Sequence, residues 1–459
     1  MTAHTPAADL ELAAAHAAAA LREWPDGHPV RLAKKTSNIF RSRSDVAQRL
    51  DLSAFNGVFD IDVAARTAVV GGLTTYEDLV AATLPYGLVP LCVPQLRTIT
   101  LGGAVTGLGI EAASFRNGTP HESVVSLWIL TGAGELVHAD ATGPHRDLFY
   151  GFPNSYGTLG YALTLTIELE PVTAQVALRH TTFGSTEAMA AAITEVVATG
   201  QWQGEPVDYV DGTVFSASQM YLTTARYAPD IGTCSDYSGM DIYYRSIARR
   251  RTDRLTTLDF LWRWDTDWFW CSRAIGVQRP AIRRLWPKSK LRSDVYWRIV
   301  AFERRHDITN RIARRRGRPQ REAVVQDVEV PVTALAEFMD FFHREVGIEP
   351  VWVCPLKQRD AAAVWPLYQF DPDVTYVNVG FWSTVAVPDG VDPRAGTVNR
   401  AIEAKVTELG GRKSLYSTSY YDRDMFWSIY GGDTYRELKA RYDPNHRLLD
   451  LYDKCVGSS

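Results

Sequence analysis

Residues 98–118 read TITLGGAVTGLGIEAASFRNG and place five glycines (Gly102, Gly103, Gly107, Gly109 and Gly118) among Val, Leu, Ile and Ala. Glycine weakens helix and strand interiors alike, so this many in one apolar stretch marks a backbone that something approaches too closely for side chains. Gly107, Gly109 and Ala112 fit the dinucleotide pattern G-x-G-x-x-G/A. That pattern signifies a Rossmann turn only between a strand and a helix. The following AASFRNGTPHESV has no helical periodicity and is broken by Gly118 and Pro120, so a Rossmann turn is not expected. No G-x-x-x-x-G-K-[ST] exists, which excludes a P-loop. The remaining reading is a glycine-lined loop whose N–H groups form a nest for a pyrophosphate, with no following helix required. The plain alternative is a glycine-rich bend in a crowded sheet.

Outward from this stretch, HPVRL (28–32) reads as a strand and GVFDIDVAARTAVVGG (57–72) as a strand pair around AARTA. TTYEDLVAATLPYGL reads as a helix capped by Thr74 or Thr75, and VPLCVP as short and extended. VVSLWILTGAGELVHA is a hairpin turning at Gly132–Gly134, and LTLTIEL alternates as a strand should. These parts make one α+β unit over 1–172. A second unit over 173–415 mixes helices (TEAMAAAITEVVAT) with strands (PVDYVDGTVF, VQDVEVPV, PVWVCPL, TYVNVGFW), and 416–459 is a helical end-piece that returns toward the first unit.

Composition narrows the function. The 459 residues are 46% hydrophobic and 22% charged with a net charge of -4, which suits a globular protein without a global pull toward nucleic acid. Five scattered cysteines with no C-x-x-C pair support neither a disulfide framework nor a metal site, and a reducing cytoplasm is expected. The Ala-rich start lacks the basic and leucine-rich parts of a signal peptide and reads as a short surface helix. No uncharged apolar run reaches the ~18 residues a membrane span needs. Charge is uneven, however. Residues 245–321 hold 22 Lys+Arg against 7 Asp+Glu, and six of the 13 Trp. Arg and Lys are drawn to lipid phosphates and Trp to the membrane interface, so this segment is expected to dock on an anionic membrane. In LDFLWRWDTDWFWCSRA, Asp259, Asp265 and Asp267 interrupt the aromatics, which are expected to lie on the surface.

The ordered motifs GLVPLCVP, TITLGGAVTGLGIEAAS, TGAGELV and DLFYGFPNSYGTLGYALTLTIEL resemble the flavoproteins of the vanillyl-alcohol oxidase (PCMH) type. Together with EPVWVCPL and YDRDMFWSIYGGDTYRELKARY they look most like the delta-24 sterol reductase group and the similar bacterial methylene-fatty-acid reductases. The resemblance implies a two-part PCMH-type FAD domain and a second α+β domain built on an antiparallel sheet. It implies FAD, with NADPH as reductant, acting on an isolated carbon–carbon double bond of a lipid. The Ala- and Arg-heavy composition suits a bacterium, which favours an acyl lipid whose methylene branch becomes a methyl branch. The step before would belong to a SAM-dependent methyltransferase, and the enzyme would be cytoplasmic and peripheral on the membrane's inner face. A delta-24 sterol substrate, a flavin oxidase or dehydrogenase of an alcohol, and a non-catalytic flavin- or lipid-binding partner of the methyltransferase are the alternatives.

The resemblance also assigns residues. The first loop, AKKTSNIF, has no His or Cys to tether FAD, so a non-covalent cofactor is expected, with Lys34, Lys35, Thr36, Ser37 and Asn38 donating to phosphates. Further cofactor contacts are expected from Pro94, Gln95, Thr100, Leu101, Gly102, Gly103, Thr106, Gly107, Gly109, Ile110, Ser114, His121, Gly157, Thr158, Gly160 and Ile167. An unpolarised alkene needs a strong, placed acid in a dry pocket. Glu111 is the first candidate, because an apolar setting raises a carboxyl's pKa. Tyr420, Tyr421 and Asp422 are the second. His306 in RRHD reads as part of a charged face.

Overall fold

The computed structural model of the protein describes residues 7–25, 28–34, 40–41 and 49–456. Two large antiparallel sheets organise an α+β fold. The first is ordered β1-β2-β6-β4-β5, with β3 also on β6. It comprises β1 (Val58–Asp62), β2 (Thr67–Gly71), β3 (Leu88–Pro90), β4 (Val124–Thr131), β5 (Leu136–Asp140) and β6 (Gly160–Pro171). Both expected hairpins form, with Asp62 opposite Thr67 and Leu130 opposite Leu136. In β6 the alternation is literal: Leu163, Leu165, Ile167 and Leu169 are buried, while Thr164, Thr166 and Glu168 are half-exposed. The helix Tyr76–Thr83 begins at Thr75, whose hydroxyl accepts the Asp78 N–H at 3.2 Å. HPVRL does not form the expected strand. It makes one parallel bridge, Leu32 to Leu50, and Pro29 has no N–H to give a ladder.

The chain leaves the first sheet at Pro171 and enters the second at Gln175. After β7 (Gln175–Phe183) comes a small hairpin, β8 (Gln201–Trp202) with β9 (Glu205–Pro206). The second sheet then adds β10 (Tyr209–Ser216), β11 (Gln219–Ala228), β12 (Thr252–Thr256), β13 (Arg321–Pro331), β14 (Val351–Leu356), β15 (Tyr376–Ala386) and β16 (Arg412–Lys413). Its order is β12-β7-β11-β10-β14-β15-β13-β16. One face is covered by the helices Thr186–Thr199, Leu335–Glu345 and Thr397–Glu408. Val324, Val328 and Val330 of β13 and Val351 and Val353 of β14 point into that layer. Each such fully buried side chain contributes roughly 1.5–3 kcal/mol. The period of two sends the intervening residues, Asp327 and Glu329 of β13 and Trp352 and Cys354 of β14, to the opposite face.

The aromatics of 260–270 are core, not surface. Phe260, Trp262, Trp264, Trp268, Phe269 and Trp270 are all buried. Only Asp259 of the three interrupting aspartates is exposed. Asp265 and Asp267 are buried in ion pairs with Arg97 (2.9 Å) and Arg283 (2.6 Å). Arg263 is likewise buried on Asp211 at 2.7 Å, and Asp211 also accepts from the Trp264 and Trp352 indoles. A carboxylate inside a protein is tolerable when a guanidinium and further donors replace its water. The partner of Asp265 lies 168 residues away, so the local charge pattern reads as exposure.

The C-terminal helices Arg423–Ile429, Gly432–Tyr442 and Leu451–Cys455 pack against the first unit. Lys439 Nζ donates to the Thr158 carbonyl at 2.8 Å, and the Tyr442 hydroxyl donates to Asp147 at 2.8 Å. Parallel bridges join Phe40 to Ser417 and Ser419 to Val456.

Candidate active site

A cleft of about 1250 Å³ lies between the glycine segment and the second sheet. Drug-sized pockets span ~300–1,000 Å³, so this one has room for a large cofactor and a second molecule. Thirteen expected residues line it: Lys34, Pro94, Gln95, Thr100, Gly102, Gly103, Thr106, Gly107, Gly109, Ile110, Glu111, Gly157 and Gly160. Lys35, Thr36, Ser37 and Asn38 fall outside the described residues.

Other expected residues sit elsewhere. Leu101, Ser114, Thr158 and Ile167 are buried in the packing behind the cleft. Ser114 Oγ accepts the Glu111 N–H at 2.9 Å, and Thr158 Oγ1 donates to the Ser155 carbonyl at 2.7 Å. His121 packs edge-on against Trp365 at 4.5 Å beside Thr119, and burial pushes its pKa down to about 3. It is a neutral core histidine. Tyr420, Tyr421 and Asp422 are not brought to the cleft. Tyr421 donates to the Glu403 carbonyl at 3.2 Å. Asp422 caps the Arg423–Ile429 helix through the Met425 N–H at 2.8 Å. The Tyr420 N–H is taken by the Glu403 carboxylate at 3.0 Å.

The glycine stretch is not the expected loop. Leu101–Thr106 is a helix, with the Thr100 hydroxyl accepting the Gly103 N–H at 3.2 Å and the Lys34 ammonium donating to that hydroxyl at 2.8 Å. Part of what approaches the glycines is other backbone. A Cβ on Gly102 would stand 2.7 Å from the Gly72 carbonyl oxygen, and one on Gly160 2.6 Å from that of Leu130. At Gly103 a Cβ would meet the Thr100 hydroxyl at 2.8 Å and Lys34 Nζ at 3.4 Å, both on the cleft wall.

The opposite wall was not read from the sequence. Trp268, Phe269, Trp352, Trp382, Tyr416 and Asp327 form it. Phe269 and Trp382 lie 4.4 Å apart between ring centroids. The Trp382 indole donates to the Tyr416 hydroxyl at 2.9 Å, and that hydroxyl hydrogen-bonds Asp327 in turn. Asn378 reaches Asp327 from the neighbouring strand at 3.4 Å. Gly380, opposite Asp327 in the β13–β15 ladder, makes room for the carboxyl: a Cβ there would collide with Asp327 Oδ1. Burial pushes Asp327 up to about 7, against the hydrogen bonds of Asn378 and Tyr416 and the charge of Lys413. Burial also holds Glu111 well above the usual carboxylate range, although the Gln95 N–H donates to it at 3.0 Å.

Several buried polar atoms on the cleft have no hydrogen-bond partner among the described residues. Among them are Arg41 Nη2, Gln95 Nε2 and Glu111 Oε2. Unpaired donors in a buried wall are costly and point to a polar ligand. Cationic Arg31, Lys34, Arg41 and Arg49 line the same cleft.

Comparison with known proteins agrees with this chemistry. The FAD binding domain family matches residues 6–140. The chain is 23% identical to the Delta(24)-sterol reductase of Arabidopsis thaliana over 443 residues, covering 88% of this chain and 76% of that protein. The Homo sapiens Delta(24)-sterol reductase is 23% identical over 423 residues with the same coverage. Decaprenylphosphoryl-beta-D-ribose oxidase of Mycolicibacterium smegmatis is 34% identical over 137 residues, 28% of this chain and 30% of that one. This protein is an FAD-binding oxidoreductase.

The flavoprotein's fold is accordingly of the PCMH type, and it is related to the sterol reductases over most of its length. The described residues fit FAD. Lys34 and Arg41 can meet the pyrophosphate, the backbone from Gly102 to Ile110 with Gly157 and Gly160 can lie along the cofactor, and Gln95 Nε2 can satisfy a ring carbonyl. Asp327, Trp352 and Trp382 were missed because a strand's period shows that two faces differ, not that one of them faces a cleft. The acids of VQDVEV, in phase on a strand with an otherwise apolar face, were the available signal.

Proposed function

We propose that this flavoprotein reduces an isolated carbon–carbon double bond in a lipid at the expense of NADPH. The substrate class we favour is a phospholipid acyl chain with a mid-chain methylene branch, which leaves with a methyl branch. FAD supplies the hydride chemistry. The protein holds the cofactor on the glycine wall, packs the apolar chain against Trp268, Trp352 and Trp382, and excludes water from the reacting carbons. NADPH is oxidised, and the alkene gains one hydride and one proton. The methylene product of a SAM-dependent methyltransferase would be the substrate, which places such an enzyme immediately upstream.

The observation that carries this reading is a buried carboxyl in an aromatic wall. With the cofactor on the glycine side, the substrate lies toward the second sheet, and the acid that faces it is Asp327. A carboxyl pushed up to about 7 by burial holds its proton near neutrality and can still give it up, and Asp327 stands on the aromatic wall, whereas Glu111, also raised by burial, belongs to the glycine wall. Proton donation therefore passes in this proposal from the expected Glu111 to Asp327. Similarity over 88% of the chain to proteins named for reducing a sterol double bond supports the reaction class.

The test has two parts. NADPH should bleach the yellow protein anaerobically, and an alkene-bearing lipid should restore the colour. Lipids from cells with and without the gene should differ by two hydrogens in one acyl species. Oxygen-dependent turnover of an alcohol with unchanged lipid masses would replace this reading with an oxidase.

A further inference from the structure

The surface outside the cleft carries a second unexplained feature. Between Arg279 and Arg318 the sequence holds fourteen Lys+Arg against three Asp+Glu. Three helices occupy this stretch, Pro280–Leu285, Ser293–His306 and Ile308–Arg315. Each shows an exposed apolar pair at helical spacing: Ile282 with Leu285, Ile299 with Phe302, and Ile308 with Ile312. These are six of the seventeen exposed large hydrophobics among the described residues, and Leu285 and Phe302 are 86% and 60% exposed. Arg284, Lys290, Arg311, Arg315 and Arg316 are exposed beside them, with no acidic partner within 4 Å among the described residues.

The inner side of the Ser293–His306 helix is tied to the cleft. The Tyr296 hydroxyl donates to the Thr266 carbonyl at 2.8 Å. Trp297 stacks on Phe40 at 5.6 Å, and Phe40 stacks on Trp268 at 5.6 Å. Phe40 and Trp268 both line the cleft.

We infer that these three helices dock the protein on an anionic lipid bilayer, with the apolar pairs entering the headgroup region and the arginines meeting lipid phosphate. Interleaved cationic and apolar side chains are the chemistry of an amphipathic interfacial helix. A nucleic-acid backbone would use the cations but would leave Leu285 and Phe302 in water. No helix among the described residues is long and apolar enough to cross a membrane, so this is attachment from one side. Of the six tryptophans assigned to the interface from the sequence, Trp262, Trp264, Trp268 and Trp270 are core and take no part, while Trp286 and Trp297 are partly buried. The inference rests on the lipid reading above for its purpose: the docked helices put the aromatic wall of the cleft next to the acyl chains.

Flotation of the FAD-loaded protein with vesicles tests it. One set is made of equal parts phosphatidylglycerol and phosphatidylcholine, the other of phosphatidylcholine alone. The native protein should float with the anionic set only and be released by high salt. Each productive cation is worth about fivefold in partitioning, so Arg311→Glu, Arg315→Glu and Arg316→Glu together should lower it at least about a hundredfold. Leu285→Ser with Phe302→Ser should weaken it as well, and flavin absorbance should be retained in both variants. Equal flotation with both vesicle types, undiminished flotation of the charge-reversed variant, or displacement from the vesicles by duplex DNA at the same salt would overturn the inference. Flotation is scored without turnover, so docking and alkene reduction stand or fall separately.

Discussion

Replacing Asp327 with Asn removes the proposed proton while keeping the side chain's shape. A placed general acid is worth ~10²–10⁴-fold in rate, which is about 3–5 kcal/mol of barrier. The native enzyme should lose activity above pH 7, since one pH unit above a pKa of about 7 only about a tenth of the molecules retain the proton. Stopped-flow reoxidation of the reduced flavoprotein by lipid alkene, followed at 450 nm or so from pH 6 to 9, isolates the chemical step. Asp327→Asn should be slow at every pH, with a flat profile, unchanged flavin content and an undiminished rate of bleaching by NADPH. Glu111→Gln should keep the native pH profile. Lys413, Glu329, Asn378 and Tyr416 surround Asp327, so Tyr416→Phe, which deletes one hydrogen bond that favours the ionised form, should move the falling limb to higher pH. If Asp327→Asn keeps a native rate and profile, or if Glu111→Gln alone abolishes the step, the assignment of the acid is wrong.

Acid precipitation should leave the yellow chromophore in the supernatant, and a yellow pellet would refute non-covalent binding. Gly103→Val should yield apoprotein by absorbance, because its side chain displaces Thr100 and Lys34 on the cleft wall. Gly380→Ala should push the Asp327 carboxyl aside and slow reoxidation without loss of FAD, as the same stopped-flow assay reads. Asp211→Asn should destabilise by ~3–5 kcal/mol in urea unfolding, since it leaves Arg263 buried without its counter-charge. Stability should fall as pH rises from the unfolded values of 3.8 and 4.5 to the folded values of about 7 and 8 for Asp327 and Glu329, and level off above them. Both are neutral in the folded state above their usual unfolded values of 3.8 and 4.5, so their favourable contribution is complete at low pH and lost at high pH. For Asp327 the loss is roughly 4 kcal/mol across that window, and Asp327→Asn should lessen the fall of the urea midpoint between pH 4 and 7.

Local regularities were legible from the residues. Alternation in LTLTIEL, the hairpin turns, the Thr75 cap and the spacing of TEAMAAAITEVVAT act over a few residues, and the structure follows them. The glycines themselves announced a closely approached backbone, part of which proved to be other backbone, and the flavin came from the resemblance of the ordered motifs to a known family. Glu111 was found because it stands inside that stretch. The Trp-rich segment failed because exposure is not a local property: Asp265 and Asp267 look like surface charges until Arg97 and Arg283 arrive from elsewhere. The helix at Leu101–Thr106 was hidden because two glycines lower its propensity, while Thr100, Lys34 and Gly72 supply the tertiary contacts that offset it. Asp327 shows the division most clearly. Its position on an apolar strand was in the sequence, but its acidity depends on Tyr416, Asn378, Lys413 and the empty space of Gly380, which only the folded sheet brings within reach. Periodicity sets which face a side chain takes; the electrostatics of that face belong to residues up to ninety positions away.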